Sequence, residues 1–187
     1  MAINTLDFFI LIPRRLLRLL IIKGYASQRQ SAILFCSCVQ YFAMVMPPEE
    51  NTAYYWQNMG NSLANAGQYE EAVKAYDKSL ALAPSDSECW NNRGIVLSMQ
   101  NRMTEAISSF EKATSLDPKN AEAWHNRGMV LCTLERYEDA VESLNKALEI
   151  DPQSACTWHN KGMALRLLGR EAEARFAFAC AGRIGTA

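Results

Sequence analysis

The chain has 187 residues, of which 21% are charged and 49% hydrophobic, and its formal net charge is −1. This balance excludes a disordered, highly charged chain and gives no electrostatic reason to expect a nucleic-acid partner. The six cysteines form no C-x-x-C pair and no disulfide framework typical of small secreted domains, so we interpret them as reduced thiols in a cytoplasmic protein.

Residues 1–46 differ from the rest of the chain because they hold two apolar stretches, residues 6–22 and 32–46, and most of the nearby charge is basic. Pro13 and three arginines interrupt the first stretch, and arginine is unfavourable at the centre of a bilayer. The second stretch is shorter than the roughly 20 residues that a transmembrane helix needs. Neither stretch is therefore predicted to cross a membrane.

Three hypotheses remain for residues 1–46. The segment forms helices that cap the first of the repeats described below, it lies in a membrane interface through its basic and apolar residues, or translation begins at Met44 or Met46. A cleavable signal peptide is less favoured because neither apolar stretch is followed by a small-residue cleavage site. Residues 47–52 are interpreted as a linker.

Four related eight-residue segments follow, and each begins with tryptophan: WQNMGNSL, WNNRGIVL, WHNRGMVL and WHNKGMAL. The tryptophans are spaced 34 residues apart, at Trp56, Trp90, Trp124 and Trp158. Glycine, alanine and a large apolar residue recur in the same register. These rows are Gly60, Gly94, Gly128 and Gly162; Ala72, Ala106, Ala140 and Ala174; and Tyr76, Phe110, Leu144 and Phe178.

Each repeat shows helical apolar spacing on two stripes separated by a short turn, which predicts two helices per repeat. The turns are predicted at residues 67–68, 101–102, 135–136 and 169–170, and Glu135 is the one starting residue that is neither Gly nor Asn. Prolines stop three of the second helices. Residues of good N-cap type precede the first helices at Thr52, Asp86, Asn120 and Ser154.

The 34-residue period, with tryptophan, glycine, alanine, aromatic and proline at these offsets, resembles the tetratricopeptide repeat. The resemblance implies an all-α, right-handed α-solenoid of four helix-turn-helix repeats, here with an N-terminal apolar helical extension at residues 1–46. We expect repeat 1 at 53–86, repeat 2 at 87–120, repeat 3 at 121–154 and repeat 4 at 155–187.

One position departs from the family pattern. The leucine that often follows the aromatic residue by three positions is replaced by Met59, Arg93, Arg127 and Lys161. We expect the stems of these arginines to cover apolar surface while their guanidinium groups reach water.

One row has no evident packing role, because asparagine is a mediocre helix former at mid-helix positions. It consists of Asn58, Asn92, Asn126 and Asn160. We predict that these side chains line the concave face, where an amide offers the donor and the acceptor that an extended peptide backbone requires. The row resembles the asparagine ladder in the repeat superhelix of O-GlcNAc transferase. The alternative is that the asparagines brace neighbouring helices.

Further peptide-binding positions are predicted beside this row. They are Gln57, Asn61, Asn91, His125, Met129, His159 and Met163. Methionine adapts to varied partners, so we expect tolerant recognition towards the C-terminal end of the groove. Where a carboxylate clamp for a chaperone tail would need cations, the chain has Gln57, Glu122 and Asn126, which disfavours that function.

No catalytic motif of the phosphate-loop or nucleophile-elbow type occurs, so the chain is not predicted to be an enzyme, and no cofactor or metal is expected. His125 and His159 are its two histidines and are interpreted as groove surface. We therefore expect a non-catalytic scaffold that binds a protein or an extended peptide. The alternative is a membrane-associated assembly factor or co-chaperone-like adaptor anchored through residues 1–46. A third hypothesis is a structural subunit that is bound through its ends, including self-association through repeat 4.

Overall fold

The computed structural model describes residues 52–185, and all regular structure in this range is helical. The eight helices are α1 Ala53–Asn65, α2 Tyr69–Leu82, α3 Ser87–Met99, α4 Met103–Leu116, α5 Ala121–Thr133, α6 Tyr137–Ile150, α7 Ala155–Leu167 and α8 Glu171–Gly185. None of these eight is both long enough and apolar enough to cross a bilayer. The N-terminal extension predicted at residues 1–46 lies outside the described range, so the cap and membrane-interface hypotheses stay predictions.

The first helix of every repeat starts at a side-chain cap. The oxygens of Thr52, Asp86, Asn120 and Ser154 each accept a hydrogen bond from the backbone N–H three residues later, at 3.1, 3.0, 2.9 and 3.3 Å. Each cap satisfies one of the backbone donors that a helix start leaves unpaired. The predicted caps are confirmed at all four positions.

The turn inside each repeat uses a residue with positive φ. Gly67 and Gly169 have φ of 74° and 75°, while Asn101 and Glu135 have φ of 62° and 59°. The left-handed conformation is unstrained for glycine, tolerated by asparagine and unfavourable for glutamate. Glu135, the exception to the sequence pattern, therefore adopts the same turn geometry at a conformational cost.

Close packing within each repeat depends on the glycine row. A Cβ atom added at Gly94 would lie 2.7 Å from Phe110 Cε1, and one added at Gly128 would lie 2.8 Å from Leu144 Cγ. The same contact recurs at the first and last repeats, with Tyr76 and Phe178 as the large residues. The absence of a side chain thus lets the first helix lie directly against the large residue of the second.

The repeats stack with a consistent inner and outer side. Among the described helices, the backbones of α1 and α3, of α3 and α5, and of α5 and α7 come within 8 Å of each other, whereas no two second helices approach that closely. Because the first helices approach one another more closely than the second helices do, the stack curves around the first helices. The concave face is therefore formed by α1, α3, α5 and α7, as the four-repeat solenoid predicts.

Candidate functional site

The predicted asparagine row lies on the four helices of the concave face. Asn58 on α1 is exposed, and Asn92, Asn126 and Asn160 on α3, α5 and α7 are half-buried. The half-burial comes from the neighbouring first helix, because each of these three side chains reaches back to the preceding repeat.

Three hydrogen bonds join the row to the preceding repeats. The Nδ2 of Asn92 donates to Asn61 Oδ1 at 3.3 Å, and the Nδ2 of Asn126 donates to Asn91 Oδ1 at 3.2 Å. The Nδ2 of Asn160 lies 3.4 Å from His125 Nε2. The asparagines therefore do brace adjacent helices, which was the alternative explanation for the row.

This bracing uses only one end of each amide. Within residues 52–185, no hydrogen bond reaches the Oδ1 of Asn92, Asn126 or Asn160, and none reaches the side chain of Asn58. An amide held at one end by protein presents its other end in a fixed direction. Bracing and ligand binding are thus compatible in the same residues.

A cavity of about 350 Å³ lies at the N-terminal end of the groove, between α1, α3 and the second helix α2. Its walls are formed by Asn61, Ala64, Asn65, Tyr76, Asn92, Ile95, Val96 and Met99. Asn61 Oδ1 accepts from the hydroxyl of Tyr76 at 2.7 Å as well as from Asn92. The amides of Asn61 and Asn92 are therefore held by hydrogen bonds in a wall that also contains apolar side chains.

The centre of the groove is organised by Asn91, which is only 3% exposed. Its Nδ2 donates to Glu122 Oε1 at 3.3 Å, while its Oδ1 accepts from Asn126. An amide this deeply buried has little surface to offer a ligand. Asn91 therefore positions Glu122 and Asn126, in place of the direct ligand contact predicted from the sequence.

His125 occupies the equivalent position one repeat later and forms a different set of contacts. Its Nδ1 lies 2.8 Å from Thr157 Oγ1, which in turn lies 2.7 Å from Ser154 Oγ. Because Nε2 accepts from Asn160, the neutral ring carries its proton on Nδ1 and donates it to Thr157. Burial lowers the pKa of His125, an effect opposed by nearby Glu122.

The other predicted groove residues have varied environments. Met129 is 40% exposed, while Met163 and Gln57 are half-buried. His159 is exposed, with its ring centroid 5.3 Å from that of Phe178. The C-terminal half of the groove thus carries accessible methionine and imidazole surface.

Sequence reasoning did not select Glu122 or Tyr76 as site residues, although both bond to groove amides. A signal for Glu122 existed, because Glu88 stands 34 residues before it on the preceding first helix. No comparable signal marks Tyr76, which sequence reasoning assigned to packing alone.

The arginines of the same first helices face away from the groove towards the second helices. Arg93 bonds Asp77 Oδ1 and Ser109 Oγ, both at 2.7 Å. The side chain of Arg93 is 18% exposed and that of Arg127 is 19% exposed. The guanidinium groups, which were expected to reach water, are partly exposed and also bond carboxylate and hydroxyl acceptors on neighbouring helices.

The stacked helical pairs with a bonded side-chain row on their concave face define a helical-repeat protein. Models of the tetratricopeptide repeat family match residues 58–121, 121–154 and 143–176. Together these matches extend over all four predicted repeats. The chain belongs to the tetratricopeptide repeat family.

Similar proteins share this architecture. A crystal structure of MamA superimposes with a TM-score of 0.71 at 19% identity, covering 87% of this chain and 95% of that one. Residues 41 to the end of MamA from Desulfovibrio magneticus RS-1 give a TM-score of 0.69 at 25% identity, covering 74% and 78%. The first repeat domain of Spaghetti (RPAP3), bound to the HSP90 peptide SRMEEVD, gives 0.62 at 21% identity, covering 67% and 98%.

A curated relative matches a shorter part of the sequence. The peroxisomal targeting signal receptor of Kluyveromyces lactis is 39% identical over 51 residues, which is 27% of this chain and 9% of the receptor. The chain therefore spans about a tenth of the length of that receptor.

Proposed function

We propose that this chain is a protein-interaction scaffold that binds an extended polypeptide segment along the concave face formed by α1, α3, α5 and α7. The observation that carries this proposal is the asparagine row, in which the amides of Asn92, Asn126 and Asn160 are each held by the preceding repeat and keep the Oδ1 free of described partners.

The chemistry of the row suits a peptide backbone. An extended chain cannot pair all of its own N–H and C=O groups, and a fixed amide oxygen accepts a backbone N–H. Asn58 adds an exposed amide with both a donor and an acceptor at the start of the row. Recognition through the backbone tolerates varied side chains, which suits a scaffold with several partners.

The cavity beside Asn61 and Asn92 supports a second contact. Its volume of about 350 Å³ is sufficient for a single large side chain, and its wall includes Ile95, Val96 and Met99. We infer that an apolar side chain of the bound segment enters this cavity while the neighbouring backbone pairs with the two amides. Apolar burial and backbone pairing would then act together at the N-terminal end of the groove.

A structural neighbour binds a peptide in the same family of folds, since the repeat domain of Spaghetti is bound to SRMEEVD. The present groove differs from a carboxylate clamp, because Gln57, Glu122 and Asn126 stand where the clamp needs cations. We therefore expect a partner other than an acidic chaperone tail.

A random-peptide phage library selected on the intact chain tests the proposal. Peptides recovered by selection are then titrated by fluorescence anisotropy against wild type and Asn58→Ala, which removes an amide that no described side chain bonds. One lost hydrogen bond is expected to weaken binding roughly three- to tenfold. Asn126→Ala should weaken it further, since it also releases Asn91.

Asn145→Ala is the matched control, because Asn145 lies on the second helix α6 and should not contact the ligand. Thermal melts of all three variants separate lost binding from lost folding. The proposal fails if no peptide is recovered, or if peptides bind the Asn58→Ala and Asn126→Ala variants as tightly as they bind wild type.

Self-association through repeat 4 remains a separate proposal. Leu167 and Phe176 are 56% and 62% exposed, and apolar side chains of this size often mark contact surfaces. Sedimentation at increasing concentration should show a dimer or larger species that Phe176→Ser weakens. A strict monomer at high concentration would reject it.

A further inference from the structure

The first helices carry few charged residues, and the arginines of α3 and α5 face the second helices. Helix α1 has no charged residue, while α3 and α5 have one glutamate and one arginine each. Arg93 and Arg127 bond acceptors on the second helices. Across the first three repeats, Glu88 and Glu122 are therefore the charged residues of the first helices that no described hydrogen bond or ion pair joins to a second helix.

Glu122 is held in place at the centre of the groove. Its Oε1 accepts from Asn91 Nδ2 at 3.3 Å, and Asn91 is nine-tenths buried or more. The same buried amide accepts from Asn126, so the carboxylate and a row asparagine share one support. Glu122 itself is exposed, and no described cation pairs with its side chain.

We propose that the segment bound in the groove carries a lysine or arginine side chain that pairs with Glu122, next to the backbone unit held by Asn126. This inference rests on the proposed peptide-binding function and names the chemistry of the partner. A positioned carboxylate without a cationic neighbour attracts a cation and repels an acidic segment.

The charge on the inner helices also differs from that of a clamp for an acidic C-terminal tail, which concentrates cations there. Here Arg93 and Arg127 bond second-helix acceptors, and the other two first-helix cations, Lys161 and Arg166, both lie on α7 in the last repeat. Arg166 lies against Met163, with Nη2 3.2 Å from Sδ. A cationic segment would therefore meet no repulsion along repeats 1–3.

The test uses the same random-peptide selection on the intact chain, followed by sequencing of the recovered peptides. We expect lysine or arginine to be enriched at one fixed position relative to the unselected library. Selection on Glu122→Gln should lose this enrichment, and selection on Glu122→Lys should replace it with aspartate or glutamate. Glu142→Gln, an equal charge change on the second helix α6, should leave the enrichment intact.

Affinities then measure the size of the effect. Glu122→Gln should lower the affinity for a selected lysine-containing peptide about two- to fivefold, as for an exposed ion pair. Added salt should reduce the difference in affinity between wild type and variant. Replacing the peptide lysine by glutamine should have the same effect on wild type and none on Glu122→Gln.

The outcomes separate this inference from the proposed function. The inference is overturned if the selected peptides need Asn58 and Asn126 for binding but show no enrichment of lysine or arginine, or show enrichment of acidic residues. That result would leave the proposed groove function supported. Recovery of no peptide overturns both. A basic preference that persists in Glu122→Gln overturns the assignment to Glu122.

Discussion

The interface between repeats 2 and 3 and the interface between repeats 3 and 4 have the same geometry but different polar contacts. At the first, Arg127 bonds Glu111 of repeat 2 at 3.2 Å and Ser143 of its own repeat at 2.6 Å. At the second, Lys161 replaces the arginine, and Asn145 and Ala177 occupy the positions of the acid and the serine. In the described chain no carboxylate lies within ion-pair distance of Lys161, whose Nζ is 5.0 Å from the Trp158 ring.

The concave sides of the two interfaces differ as well. Asn91 joins Glu122 and Asn126 at the first, whereas His125 joins Thr157 and Asn160 at the second. The last interface thus relies on a titratable ring where the inner one has an amide. A shared backbone period therefore permits each interface its own stability and its own response to pH.

The largest expected effect is a loss of stability when a side chain is added at a position of the glycine row. Gly94→Ala places a Cβ 2.7 Å from Phe110, which is 1% exposed and has no room to move, so we expect a loss of about 2 kcal/mol in unfolding free energy. Gly162→Ala meets Phe178 at the same distance, but Phe178 is only partly buried and can shift. Urea unfolding of both variants should show the smaller loss for Gly162→Ala, and equal losses would contradict the distinction.

The next largest expected effect is the loss of stability when the arginine contacts are removed. Arg127→Ala should lower the unfolding free energy by about 1.5 kcal/mol, because it removes hydrogen bonds from a charged donor together with packing of the stem. Lys161→Ala should cost less than half of that. A double-mutant cycle of Arg127 with Ser143 measures the coupling directly, and a coupling near zero would show that the contact adds no stability.

The strained turn of repeat 3 predicts that a substitution at Glu135 can raise the unfolding free energy. Glu135 has φ of 59°, so Glu135→Gly should stabilise the protein by about 0.5 to 1 kcal/mol. Asn101→Gly, at φ of 62° in repeat 2, should gain less because asparagine tolerates this conformation. Thermal melts check both, and a destabilised Glu135→Gly variant would contradict the strain.

The smallest effect is a pH dependence confined to the last interface. Burial lowers the pKa of His125 in the folded state, so the unfolded chain binds a proton more readily. The contribution of neutral His125 to the unfolding free energy should be fully present above the unfolded pKa of about 6.5 and should be lost as the pH falls below it. His125→Asn, which copies Asn91, should flatten the profile of unfolding free energy between pH 7.5 and 5.5, and an unchanged profile would exclude His125 as its source.

Most of the fold follows from local signals that repeat with the period. Side-chain caps, turn residues and the glycine row each specify a contact inside one repeat, so spacing along the chain determines them. Glu135 shows the same principle, since the turn forms there despite an unfavourable residue.

The site is less predictable because its contacts cross between repeats. Asn92 bonds a residue 31 positions earlier, whereas Asn126 and Asn160 bond residues 35 positions earlier. Small rotations between helices decide which partner is reached, and sequence spacing does not encode them. For the same reason the burial of Asn91 and its contact with Glu122 became visible only in the structure.

The most direct test of the asparagine row follows its side-chain amide resonances. In ¹⁵N-correlated spectra of the intact chain, titration with a selected peptide should shift the amide pairs of Asn58, Asn92, Asn126 and Asn160 and leave that of Asn145 unchanged. Saturable binding that shifts Asn145 or other second-helix residues, with the four row amides unmoved, would contradict a binding role for the concave face.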